Sequence, residues 1–414
     1  MKKSDRVILY LFYVYAFILS FEDILEVLWD IKTPYKPFRL LAIGIGFLII
    51  FTRRFNSIRI FTNDLKLLGV YVLGLIPTVI AFLNNRLDEG YFWSTSLQFF
   101  ITLWIFLLIK SLPFEMKHIH RALHIYCLGA LLNGVYMIYR FMFINSIRQS
   151  GFMDDSNMAS FSCCVSFTYF FYYFVRSEES LLSLSRILNG FISLILMFAL
   201  FVSGSRTAIV AWPFIVLFLL YYKVPYTKKL WHSAILSIIL FFIFSSSNNL
   251  SLFKIMPAWN RLINLEGKED SRLSLWKHGF SAFKDTYFMG LGIEQFKNPV
   301  NYTKFVKVSD NAMVINQKGL VVHNAFLTVL YEYGILSFLF FISFFWTLFA
   351  RLKVACKSID HPAIYQLLYF NMIWFSIFLS SFPSHTMWFL YIVLGLVAYS
   401  KINTNEISFQ KNKL

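Results

Sequence analysis

Long apolar runs set the first limit on this chain. A helix needs roughly 20 mostly apolar residues to cross the hydrocarbon core of a bilayer. Runs near that length recur at 7–28, 38–52, 65–83, 92–110, 121–144, 157–175, 187–204, 207–222, 230–247, 323–350, 363–381 and 385–400. The 414 residues are 58% apolar and only 14% charged, whereas a soluble domain is about a quarter charged. A soluble enzyme with one buried core is therefore excluded, and so is disorder, which needs low hydrophobicity. The expected fold is an all-α integral membrane protein of about twelve transmembrane helices. Residues 1–247 would hold helices one to nine, 248–322 a large loop, and 323–414 the last three helices and a tail.

The net charge is +16. In a soluble protein that excess would suggest a polyanionic partner; in a membrane protein its placement decides. With a cytoplasmic N-terminus, every short inner segment carries at least two basic residues, from Lys2, Lys3 and Arg6 to Arg351, Lys353 and Lys357. The short outer loops share Lys32, Lys36, Arg39, Arg86 and Arg148. This bias places both termini in the cytoplasm, and no nucleic-acid partner is expected. The basic N-terminus and Val7–Phe21 imitate a signal peptide, but Glu22, Asp23 and Glu26 follow instead of a small-residue cleavage site. An uncleaved first helix is expected.

The loop at 248–322 would face outward and is too long to be structureless without a function. Ser271 is a candidate N-cap, and Leu273, Trp276, Phe280 and Phe283 form an apolar stripe at helical spacing. Gly290 and Gly292 end it. A partly helical cap on the outer membrane face is expected.

Few residues carry candidate chemistry. His120 and His124 are four apart, a spacing open to a metal, but no carboxylate or thiol completes a set. They read as structural, and neither a metal nor a cofactor is expected. Adjacent Cys163 and Cys164 point different ways on a helix and read as packing thiols. No phosphate-binding glycine loop or nucleophile elbow is present. Arg206, in Ser203-Gly204-Ser205-Arg206-Thr207-Ala208, lies between two apolar runs too close for a true loop. An arginine there faces protein or a watery cavity, or snorkels to the surface. His323 opens the tenth run and supplies a candidate general base. Arg272 opens the loop helix. Topology puts all three at the outer face. Two guanidinium forks and an imidazole suit a diphosphate leaving group and a hydroxyl nucleophile.

At these residues the sequence resembles the O-antigen ligase and O-antigen polymerase family. Ser203–Ala208 looks like its arginine motif. Ser271-Arg272-Leu273 through Trp276, with Asp285-Thr286-Tyr287-Phe288-Met289-Gly290-Leu291-Gly292, is similar to its loop helix and glycine turn, with Tyr287 near the usual proline. His323-Asn324-Ala325-Phe326-Leu327 through Glu332-Tyr333-Gly334-Ile335-Leu336 looks like its histidine motif, with Ser337 in place of a second glycine. Gly151-Phe152-Met153-Asp154-Asp155-Ser156-Asn157 is similar to an outer-loop motif of the family, without its proline.

The resemblance covers about 150–350 by motif and implies a metal-independent, inverting glycosyltransferase of the class C membrane type. Its donor would be an undecaprenyl-diphosphate-linked oligosaccharide, and its acceptor a glycan or the lipid A–core. Membrane lipid, and optionally a chain-length regulator, would be its other partners. Arg206 and Arg272 would bind the diphosphate and His323 would activate the acceptor. Asn324, Glu332, Asp154 and Asp155 are further candidates. The location implied is the bacterial inner membrane, with the active site facing the periplasm. The Gly151–Asn157 segment and the plain Gly334-Ile335-Leu336 ending favour a polymerase over a ligase. A twelve-helix secondary transporter is the competing class. Its two halves would be joined by a long central cytoplasmic segment, whereas here Arg176–Arg186 is short and the long loop is late and external.

Overall fold

The computed structural model describes residues 3–29, 36–52, 62–109, 112, 114–144, 148–153, 155–176, 183–221, 257, 271–298, 301, 321–379 and 384–399. All regular structure among them is helical. In chain order the helices are α1 (Lys3–Ile18), α2 (Ile24–Trp29), α3 (Pro37–Thr52), α4 (Thr62–Leu83), α5 (Glu89–Ile109), α6 (Met116–Phe143), α7 (Ser156–Arg176), α8 (Leu184–Val202) and α9 (Arg206–Tyr221). There follow α10 (Ser271–Asp285), α11 (Ala325–Ala355), α12 (Pro362–Phe378) and α13 (His385–Tyr399). Among the described residues six helices are long and apolar enough to cross a membrane: α4, α5, α6, α7, α8 and α11. Three shorter apolar helices lie in α3, α9 and α13. The run at 230–247 and most of the 248–322 loop lie outside the described residues.

The first apolar run is not one continuous helix. The chain breaks between Ile18 and Ile24, where Asp23 N–H donates to the Phe152 carbonyl (2.8 Å). Lys36 Nζ pairs with Glu22 Oε1 (3.0 Å) and Asp23 Oδ1 (2.8 Å). Acidic residues gathered on one lysine, and an amide taken by another segment, leave no reason to continue the helix.

Two compact units interleave along the chain. The first takes Met1–Leu41, Phe114–Glu266 and Cys356–Asn371; the second takes Ala42–Pro113, Gly267–Ala355 and Met372–Leu414. In the first unit α7 packs on α6, α8 and α9 and is buried on nearly all sides. Several of its buried small polar residues have hydrogen-bond partners. Thr168 Oγ1 donates to the Cys164 carbonyl (2.8 Å), Asn371 Nδ2 donates to Thr168 Oγ1 (2.9 Å), and the Tyr126 hydroxyl donates to Ser162 Oγ (3.0 Å). Such partners keep buried hydroxyls from costing stability.

In the second unit α11 packs on α4 and α13, and α13 on α5. Trp388, fully buried, sits edge-on to Phe99 and Phe106 at 5.5 and 5.7 Å. Lys66 of α4 donates to the Ser343 carbonyl (3.2 Å) and to the Thr347 hydroxyl of α11.

Candidate functional site

The arginine motif is a helix–turn–helix of three linking residues, all within the first unit. Ser203 caps α8 in helical conformation, and Gly204 follows at φ 70°. That left-handed step is the usual ending for a helix, and glycine takes it without a Cβ clash. Gly204 N–H closes on the Phe201 carbonyl (3.3 Å). Ser205 N–H donates to Ser203 Oγ (3.2 Å), and the Ser205 carbonyl accepts from Ile209 N–H (3.3 Å), which makes Ser205 the N-cap of α9. Arg206 is thus the first residue of α9. Its side chain is half-buried and makes no hydrogen bond or ion pair with any described residue. The Ser205 hydroxyl is buried and also has no partner among the described residues. A guanidinium at the positive end of a helix dipole, beside an unengaged hydroxyl, favours an anion.

Asp155 of the neighbouring segment is accounted for by the start of α7. Its carboxylate accepts from Asn157 N–H (2.9 Å) and Asn157 Nδ2 (3.0 Å), the N-cap pattern. Asp154 lies outside the described residues.

The histidine motif belongs to the second unit. His323 is half-buried and sits at φ 53°, a left-handed conformation rare for residues other than glycine. Asn324 is the N-cap of α11, its side chain accepting from Leu327 N–H (3.0 Å). It therefore fixes where the helix starts, directly after His323.

Helix α10 is fastened to this same helix start. Trp276 Nε1 donates to the Val322 carbonyl (2.9 Å), and the Tyr331 hydroxyl donates to the Trp276 carbonyl (3.2 Å). Ala282, Phe283, Leu291, Phe296, Val322 and Tyr331 form the apolar cluster beneath. Arg272 stands one turn before Trp276; its side chain lies outside the described residues, as does Leu273's. The structure therefore brings α10, which carries Arg272, to the residues flanking His323. Arg206 belongs to the other unit.

One expectation for α10 needs correction. The described part of the helix begins at Ser271. Phe280 does not join the buried stripe: it is 43% exposed and lies under Lys284 Nζ at 4.9 Å. The buried face runs through Leu275, Trp276, Gly279, Ala282 and Phe283. At 100° per residue Phe280 falls on its far edge.

Helix α11 contains a π turn, Val329–Tyr333, followed by Gly334 at φ 87° and ψ 171°. A π turn frees carbonyls from the regular ladder. Here Leu291 N–H donates to the Tyr331 carbonyl (2.8 Å) and Gly292 N–H to the Glu332 carbonyl (2.9 Å). The Glu332 carboxylate, itself buried, accepts from Glu294 N–H and Phe296 N–H, both at 3.1 Å. Glu332 thus serves the backbone of the 290–296 turn.

Glu294 in turn pairs with Lys297 at 2.6 Å. Burial works against the Lys297 charge, but Glu294, with Glu332 beyond it, more than offsets this and raises its pKa. Thr78 Oγ1 accepts from Ile293 N–H (3.0 Å), and Gln295 exchanges hydrogen bonds with the Asp88 backbone at 2.7 and 3.1 Å.

Glu332→Ala would strand two buried amides, each costing about 1–3 kcal/mol. A clearly lower thermal midpoint of the detergent-solubilised protein is expected. An unchanged midpoint would remove Glu332 from this structural role.

The departure at Tyr287 has a backbone cause. Tyr287 and Phe288 lie at φ 52° and 64°, and Met289 N–H closes the turn on the Thr286 carbonyl (3.0 Å). Proline is locked near φ −65° and cannot adopt this turn.

His120 is held by two tyrosines: Tyr365 (2.9 Å from Nδ1) and Tyr173 at Nε2. Among the described residues no group of three or more His, Cys, Asp or Glu is placed to hold a metal. Cys163 and Cys164 point apart, toward the Ala130 carbonyl and the Asn371 side chain.

These features define a class: an all-helical, multi-pass membrane protein with a polar helix junction in each of two units. Residues 191–342 match the family model described as O-Antigen ligase, in agreement with the motif resemblance. The matched stretch holds Arg206, Arg272 and His323 and excludes Asp155. A search of curated proteins gives no match.

Proposed function

We propose that this chain is a membrane glycosyltransferase that moves an undecaprenyl-diphosphate-linked glycan onto a hydroxyl acceptor at the periplasmic face, acting as an O-antigen or related polysaccharide polymerase. The observation that carries this is the family match over 191–342, which takes in both arginines and the histidine. Arg206 at the start of α9, half-buried and bonded to no described residue, supports it.

In the proposed reaction the acceptor hydroxyl gives its proton to the His323 imidazole as its oxygen attacks the anomeric carbon. The bond from that carbon to the diphosphate breaks on the opposite face, so the configuration inverts. The diphosphate leaves with the bonding electrons, and Arg206 and Arg272 offset its charge. No metal takes part. The site would lie in the bacterial inner membrane, with lipid around it and a chain-length regulator as an additional partner.

A second reading, a ligase that transfers the glycan to the lipid A–core, is favoured by the description of the matched family model. A lipopolysaccharide gel after gene deletion separates the two. Core bearing a single O-unit indicates the polymerase, and bare core with polymer left on the carrier indicates the ligase. An unchanged ladder refutes both for O-antigen.

Two further outcomes are expected. Arg206→Ala and Arg272→Ala should each abolish transfer in reconstituted membranes while the protein still inserts. Full activity in either variant would take that arginine out of the mechanism. Transfer should also persist in excess chelator; a loss restored by Mg²⁺ would refute the metal-free scheme.

A further inference from the structure

We propose that Arg148 is a positioning residue for Arg206, and that Arg148 together with Asp155 and Asn157 sets the direction in which the arginine motif presents its guanidinium. The inference rests on the reading that Arg206 holds the donor diphosphate, and it assigns the geometry of that grip to a residue outside both the arginine motif and the matched stretch.

Arg148 lies across the turn between α8 and α9. Its Nε donates to the Ser203 carbonyl (3.0 Å), and its Nη2 donates to Asn157 Oδ1 (2.7 Å). A Cβ on Gly204 would lie 2.7 Å from Arg148 Cγ, so the side chain is laid flat on the glycine. Gln149 N–H adds a bond to the Val202 carbonyl (3.2 Å). The far end of the clamp is equally fixed. Asn157 is buried and held through both its backbone and side-chain nitrogens by Asp155. Behind it, buried Asn133 of α6 accepts from Phe152 N–H (2.7 Å), and the Phe152 ring stacks on Tyr136 at 4.0 Å.

The chemistry suits arginine alone. The Ser203 carbonyl is among the last of α8, where the helix leaves acceptors unsatisfied and its dipole favours a cation. A planar fork reaches this carbonyl and the Asn157 amide together; the ammonium of lysine is a single point. Only Ser203, Gly204 and Ser205 separate α8 from α9, so fixing Ser203 fixes the residue that opens α9. Misplacing a substrate-holding group by about 1 Å can cost roughly 100-fold in rate.

The test uses the full chain in lipid nanodiscs, with three readouts: hydrogen–deuterium exchange of the 203–209 amides, binding of farnesyl diphosphate, and glycan transfer. Arg148→Ala is expected to speed exchange at 203–209, weaken farnesyl diphosphate binding, and lower transfer by roughly 10- to 100-fold. Added guanidinium ion should restore transfer to Arg148→Ala. Arg148→Lys should remain defective. Asn157→Leu, which removes one arm of the clamp, should give a smaller loss of the same kind and keeps the test alive if Arg148→Ala does not insert. Wild-type transfer by Arg148→Lys would overturn the proposal, as would unchanged exchange in Arg148→Ala with no response to guanidinium. Faster exchange in Arg148→Ala beside full transfer in Arg206→Ala would uphold the clamp and overturn the diphosphate role of Arg206.

Discussion

His323→Asn is expected to lower glycan transfer by about 10²- to 10⁴-fold, the usual contribution of a general base, while leaving insertion and thermal stability close to wild type. Asparagine is the informative replacement because His323 sits at φ 53°. Asparagine tolerates the left-handed region, as histidine does, whereas alanine would add backbone strain to the loss of the imidazole. His323→Ala should therefore lose transfer to the same extent and some stability as well. The check is a single-turnover assay in reconstituted membranes beside a thermal scan of each variant. If His323→Asn transfers glycan at the wild-type rate, the imidazole is not the base.

Gly334→Ala is expected to have the largest structural effect of any single methyl addition in the second unit. Its φ of 87° and ψ of 171° fall in a region essentially reserved for glycine, where another residue costs about 1–3 kcal/mol. The added Cβ would also lie 2.1 Å from the Met289 carbonyl oxygen and 2.9 Å from its carbon. Those are backbone atoms, so no side-chain rotation relieves the clash. Moving Met289 would pull Leu291 and Gly292 away from the carbonyls of Tyr331 and Glu332. Thermal stability and transfer should fall together.

Ser337→Ala provides the contrast. Ser337 stands where the family usually has its second glycine, and its buried hydroxyl has no partner among the described residues. Removing that hydroxyl should leave stability unchanged or slightly higher. If Gly334→Ala matched Ser337→Ala in thermal midpoint, the glycine would not be needed for the junction.

Much of the fold was legible because membrane burial leaves a linear signature. An apolar run near the length of the hydrocarbon core predicts a helix whatever packs against it, and α4 to α9 follow the predicted runs closely. The break in the first run was less visible. Glu22, Asp23 and Glu26 hinted at it, but its cause is a hydrogen bond to Phe152 and an ion pair with Lys36, both distant in sequence. The loop helix was found by periodicity, yet its buried face was placed on the wrong edge. Apolar spacing does not say which edge of a stripe meets a partner, and Tyr331 and Val322 decide that here.

For the candidate site, the sequence alone determined the residue types, their order and the motif resemblance. Arg206, Arg272 and His323 each stand out because a cation or an imidazole at a membrane edge predicted from the sequence needs a reason. Only the tertiary structure decided what their neighbours do. Glu332 and Asp155 had the composition of candidate acids, but one accepts turn amides and the other caps α7. Arg148 read as one more scattered loop charge, yet it clamps the arginine turn from 55 residues away. The physical reason is that chemical type is local, whereas a hydrogen-bond partner is fixed only when separate helices pack. Until then a carboxylate that could move a proton looks the same as one that only holds a backbone in place.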